Sequence, residues 1–124
     1  MTATGIEQDL QLILASIADG LVVYTPDSRI RLSNERARFL LGISRLHEQV
    51  SLAERLPVER IADAAGRPIP LERAPVYRAL HGETVRNELI RISPIGQNQL
   101  RWLRFSASPL RGPDGEITGA IATF

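Results

Sequence analysis

The chain has 124 residues, a net charge of +1 and no cysteine. That length makes one domain able to bury about two-thirds of its unfolded surface, and an apolar fraction of 44% is ordinary for a globular one. Near-neutral charge argues against a nucleic-acid surface, the missing cysteines exclude disulfides and thiol chemistry, and no apolar run approaches the ~20 residues of a membrane helix. With no signal-peptide pattern at the N-terminus, a cytoplasmic location without membrane insertion in this segment is expected.

Ile6, Leu10, Ile13 and Ile17 are spaced four, three and four apart, the seam of a helix that packs along another element. Thr4 and Glu7 form a capping-box pair for its start. Such a helix is too short to stand alone. It is expected to dock on its own sheet, to dock on a second copy, or to form part of a longer helix. Leu21 to Tyr24 then runs apolar without interruption, and Pro26-Asp27-Ser28-Arg29 holds turn residues. Ile30 and Leu32 alternate with Arg31 and Ser33, the pattern of a half-buried strand. Asn34 suits a helix N-cap and Gly42 its left-handed end, with Ala37, Leu40 and Leu41 on one apolar face between them.

From residue 43 to 82 the pattern is more broken. Ser51 with Glu54 offers a second helix start, and Pro57 is expected to stop what precedes it. Residues 60–62 allow a short extended piece. Ala65-Gly66-Arg67-Pro68-Ile69-Pro70 is loop chemistry, and Pro75 sits well at the first turn of a helix ending near Leu80 or His81, before Gly82. Residues 85–92 are β-prone, 93–98 read as a turn, and 100–110 form a long strand. In that strand Leu103, Phe105 and Ala107 share one face, while Trp102, Arg104 and Ser106 share the other. Pro113-Asp114-Gly115 marks a hairpin before a final strand over 117–124.

Periodicity alone describes a mixed α/β domain. The order Asp19-Gly20, a turn at Asp27, Asn34, Ala37 and Leu41-Gly42 resembles the opening of a PAS domain. Ser28 stands where that family's turn usually has glycine, which asks for a turn without a strongly left-handed residue. Asp63, Gly66, Arg67, Pro68 and Pro70, followed by Pro75, Arg78, Ala79, Leu80, Gly82 and Glu83, resemble one bacterial subgroup of PAS domains found in sensor kinases. The stretch from Arg101 to Leu110, with Asp114 to Ala120 after it, is similar to the end of such a domain. The resemblance implies an α+β fold with a five-stranded antiparallel sheet, strands near 20–25, 29–33, 84–92, 99–110 and 116–124, and helices from 34 to 81 over one face. It divides the chain into a flanking helix (1–18) and a sensor domain (19–124). It also implies a sensory input module that binds a small molecule or cofactor and relays its state to an output domain such as a histidine kinase. The alternative it leaves is a ligand-free dimerisation and relay module.

No catalytic constellation, metal-ligand spacing or phosphate-binding glycine loop appears, so an enzyme is not expected. Asp19, Asp27, Asp63 and Asp114 stand beside turns or glycines, where capping accounts for them. His47 and His81 are the two histidines. Haem-binding members of the family use a helical histidine, but His81 beside Gly82 reads as a helix-terminal residue pointing outward, which speaks against haem. A cysteine-linked flavin is excluded, and the cofactor is left open. All fifteen basic residues are arginine, read as a compositional habit rather than an anion site.

The apolar residues expected around the family's ligand position are Leu21, Val23, Leu40, Val76, Leu80, Leu89, Leu103 and Phe105. A one-residue slip of parity near Gly20 would exchange Leu21 and Val23 for Val22 and Tyr24. Trp102, on the opposite face of its strand, would leave an exposed patch unless covered. The stripe of Ile6, Leu10, Ile13 and Ile17 is the free apolar element, so a homodimer built on that stripe and Trp102 is expected, with intramolecular docking as its rival.

Overall fold

Among the described residues, six strands form one antiparallel sheet: β1 (Leu21–Tyr24), β2 (Ile30–Ser33), β3 (Ile61–Ala62), β4 (Val85–Ile92), β5 (Arg101–Arg111) and β6 (Ile117–Thr123). Their order across the sheet is β2-β1-β6-β5-β4-β3, so the helical middle of the chain crosses from one edge to the other. The structure, a computed structural model, describes residues 19–44, 47–59, 61–94 and 99–124. The flanking helix expected over residues 4–18, with Ile6, Leu10, Ile13 and Ile17, lies outside them. Three helices, α1 (Glu35–Leu41), α2 (Leu52–Glu59) and α3 (Pro75–Leu80), and two single 3₁₀ turns connect β2 to β4. The resemblance implied an α+β fold with a five-stranded sheet; the fold class holds and the sheet has one strand more. The sixth, β3, pairs Ile61 with Ile92 and Ala62 with Arg91, and two residues are too few to carry a period.

Local chemistry sets the element ends. The Asn34 side chain accepts from the Ala37 N–H at 2.9 Å, and Gly42 closes α1 in the left-handed region with φ 68°. At the start of α2, the Ser51 hydroxyl and Glu54 carboxylate exchange contacts with each other's backbone N–H groups. Pro57 does not stop α2. It sits six residues in, so the one backbone bond it forgoes falls in the last turn, and the helix ends two residues later. Pro75 opens α3 as expected.

The β1–β2 turn departs from expectation. Ser28 adopts φ 64°, the left-handed conformation that glycine takes at no steric cost. It is 6% exposed, and both its hydroxyl and its carbonyl accept from the Leu52 N–H, at 3.0 and 3.1 Å. The serine thus offsets its strained backbone by tying the hairpin to the first residue of α2. At the other end of β1, Gly20 makes room for Phe124. A Cβ there would lie 2.4 Å from the Phe124 ring, and the two backbones exchange hydrogen bonds of 2.7 and 3.0 Å. Residues 19–20 and 124 therefore sit side by side.

Candidate functional site

The inner face of the sheet and the three helices enclose one apolar cluster. Strand alternation decides who faces it. Val22 and Tyr24 are 0% and 3% exposed, Ile90 pairs with Leu103, and Ile92 shares their face. At the centre is a cavity of about 40 Å³, walled by Tyr24, Ile90, Ile92, Leu103 and Phe105 from the sheet. Leu41, Leu52, Ile61, Ala74, Pro75 and Val76 close it from the helical side. The Phe105 ring is stacked on Phe124, with centroids 4.8 Å apart. Arg55, 2% exposed, holds its guanidinium carbon 5.8 Å from the Tyr24 ring centroid, a cation–π distance.

Of the residues expected here, Val76, Leu103 and Phe105 line the cavity. Leu40 is buried in the same cluster and Leu80 packs against it, but neither lines the void. Leu21, Val23 and Leu89 are corrected: all three face the outer side of the sheet. Leu-Val-Val-Tyr has no polar residue to mark its parity, and the slip by one residue is the arrangement found. Leu89 was displaced by a bulge. Asn87, at φ 50°, shifts the β4 register between Val85 and Glu88, so counting by twos from Val85 reaches Leu89 while the chain turns Ile90 inward. Ala74, Pro75 and Leu52 lie on segments whose apolar residues showed no single period.

A polar clamp joins α3 to the sheet. Arg78 Nε donates to Glu83 at 2.9 Å and Nη1 to Glu88 of β4 at 3.0 Å. The Glu83 bond leads the effects that hold the guanidinium above its usual value. Arg78 and Glu83, both in the motif read from sequence, are thus in direct contact. His81 follows the helix, exposed, with Nδ1 2.7 Å from the Tyr77 carbonyl and its ring 4.6 Å from that of Tyr77. It is not among the residues that line the cavity. Among the described residues no group of three or more potential ligands could hold a metal, and no helix is long and apolar enough to cross a membrane.

The outer face carries Leu21, Val23, Leu32 and Ile121 together across β1, β2 and β6, and Leu89 and Trp102 further along β4 and β5, with Arg104 and Ser106 between the two groups. Trp102 is 51% exposed, as its position opposite Leu103 requires.

The family model described as PAS fold matches residues 14–124. No curated protein sequence matches the chain. Among solved structures, the PAS domain of an HTR-like protein from Haloarcula marismortui is similar at 14% identity and a TM-score of 0.62, covering 97% of this chain and 89% of that one. A domain of a sensory box sensor histidine kinase/response regulator from Geobacter sulfurreducens matches at 14% identity and a TM-score of 0.63, covering 98% and 95%. The PAS domain of nitrogen regulation protein NR(II) from Vibrio parahaemolyticus matches at 12% identity and 0.60, covering 93% and 95%. With the family model spanning nearly all of the chain and the six-stranded sheet closing over a central cavity, the protein belongs to the PAS fold family.

Proposed function

We propose that this domain is a sensory input module whose central cavity takes a small apolar molecule and whose outer sheet face relays the cavity's state through the flanking segment to an output domain such as a histidine kinase. The cavity is the observation that carries the reading. Its walls are apolar side chains, so water gains few partners inside it, and apolar voids of this kind stay dry and accept apolar guests. Its volume of about 40 Å³ is well below the ~150 Å³ that admits benzene in a designed cavity. That size suits a guest of one to a few heavy atoms and leaves no room for a flavin or a haem without repacking. Relay is supported by the adjacency of Gly20 and Phe124, since Phe124 stacks on the cavity-lining Phe105. The domain itself is read as non-catalytic and the expected location is cytoplasmic.

The exposed Trp102 favours a second reading, a homodimer that uses the outer face whether or not the cavity is filled. The Ile6, Leu10, Ile13 and Ile17 stripe is the complementary apolar surface in the sequence. Native mass spectrometry with an absorption spectrum of the purified protein tests both. A dimer mass carrying a small bound molecule supports the leading reading. A dimer with no added mass, and no response to added apolar guests, leaves only the ligand-free relay module.

A further inference from the structure

A second concavity lies outside the central cavity, at the sheet edge formed by β3. It encloses about 520 Å³ between the end of β4, β3 and the 66–71 loop, with apolar walls from Ile61, Pro68, Ile69 and Leu71. Ile61 also lines the central cavity and so separates the two. Arg91 reaches this groove from β4, where its backbone pairs with Ala62. One guanidinium nitrogen stands 3.7 Å from where a Cβ on Gly66 would be, an ordinary contact distance that places the head group beside the 66–71 loop.

The arginines sort by what neutralises them. Arg29, Arg67 and Arg78 hold carboxylates, while Arg31, Arg73 and Arg86 are exposed to water. Arg91 is only partly exposed, and among the described residues its guanidinium has no ion pair or hydrogen bond. A half-exposed guanidinium without a protein counter-charge is available to an anion in the groove, and its planar fork is suited to a carboxylate. The volume falls within the ~300–1,000 Å³ of small-molecule sites. An extended peptide fits the edge less well, because Pro68 and Pro70 remove N–H donors and the Ile69 N–H already bonds Ile61.

We propose that this groove binds a small organic monocarboxylate, its apolar body against Ile61, Ile69 and Leu71 and its carboxylate on Arg91 beside Ser93. Heteronuclear NMR titration of the full chain with hexanoate, and with hexanamide as the neutral probe, tests it. Hexanoate should shift the amides of Ile61, Ala62, Gly66 and Ile69 saturably, with hexanamide weaker by roughly tenfold, the loss of one charge-assisted pair. Arg91→Gln should erase that difference without moving the melting temperature. Equal binding of the two probes, no saturable shift at those amides, or an Arg91→Gln variant that keeps the preference would each overturn the proposal. If Arg91→Gln does not fold, the wild-type comparison of acid against amide decides alone. Response to an acidic peptide with hexanoate inert would assign the groove to a protein partner, and the small-molecule proposal would fail.

Discussion

Asn34 joins three parts of the chain, and its removal should be costly well beyond the loss of a helix cap. The side chain is 4% exposed. Its oxygen accepts from the N–H groups of Ala37 and Leu21 at 2.9 and 3.0 Å, and its amide donates to the Asp19 carbonyl at 2.8 Å. Alanine leaves both N–H groups and one carbonyl without that partner. The cap contributes about 1 kcal/mol, and a part-buried N–H left unpaired costs about 1–3 kcal/mol. Together Asn34→Ala should destabilise by about 2–4 kcal/mol. Asn34→Asp should fall between the two, keeping the acceptor but setting a carboxylate against the Asp19 carbonyl. Urea unfolding followed by far-ultraviolet circular dichroism measures both. An Asn34→Ala variant within about 0.5 kcal/mol of wild type, the range of an ordinary surface change, would refute the role assigned to this side chain.

Four other outcomes follow from the same structure. Ser28→Ala should cost about 1–2 kcal/mol by losing the hydroxyl bond to Leu52 while keeping the left-handed strain. Ser28→Gly should lie closer to wild type, and urea midpoints in the reverse order would contradict this. Leu103→Ala should cost about 2–5 kcal/mol and enlarge the cavity, giving benzene a measurable stabilising effect on the melting temperature that wild type lacks. Arg78→Ala should cost about 1–2 kcal/mol, since two partly exposed ion pairs are each worth little but the arginine stem also packs; a change in melting temperature too small to measure would count against the clamp. Asp63 accepts from the backbone N–H groups of Arg67 and Ala65, the first being the stronger cause, and its carboxyl is held below the ordinary 3.8. A depressed value in the folded state means the turn's contribution is present above the unfolded value and lost as pH falls through the folded one. Carboxyl NMR should therefore give Asp63 a midpoint under 3.8, and a midpoint at or above it would show the turn is not holding the anion.

Much of this fold was legible because its signals are local. Asn34, Gly42, Ser51, Glu54 and Pro75 each do at their position what the residue type does anywhere, and strand ends fell within one or two residues of their turns. Leu103 and Phe105 could be placed inward because a long alternating strand shows its parity. What stayed open or went unread depends on contacts made elsewhere in the chain. Tyr24 faces the cavity because of how β1 pairs with β2 and β6, which an unbroken apolar run cannot reveal. Ile90 replaced Leu89 because of a bulge stabilised partly across the sheet, where the Asn87 N–H reaches the Ser106 hydroxyl at 3.0 Å. Ser28 could turn left-handed because Leu52, 24 residues later, supplies the compensating bond. The cavity follows from all of these at once, so its wall could be named from sequence only in part.

Xenon is the most direct probe of the sensory reading, being apolar, small and free of specific chemistry. Methyl and amide NMR under increasing xenon pressure would report both the cavity and the face proposed to carry its signal. The expected result is saturable shifts at Val76, Ile90 and Leu103, accompanied by shifts with the same midpoint at Gly20, Phe124 and the outer-face residues Val23 and Trp102. Shifts that never saturate at the cavity, or a cavity that fills while Gly20, Phe124 and the outer face stay unchanged, would contradict it.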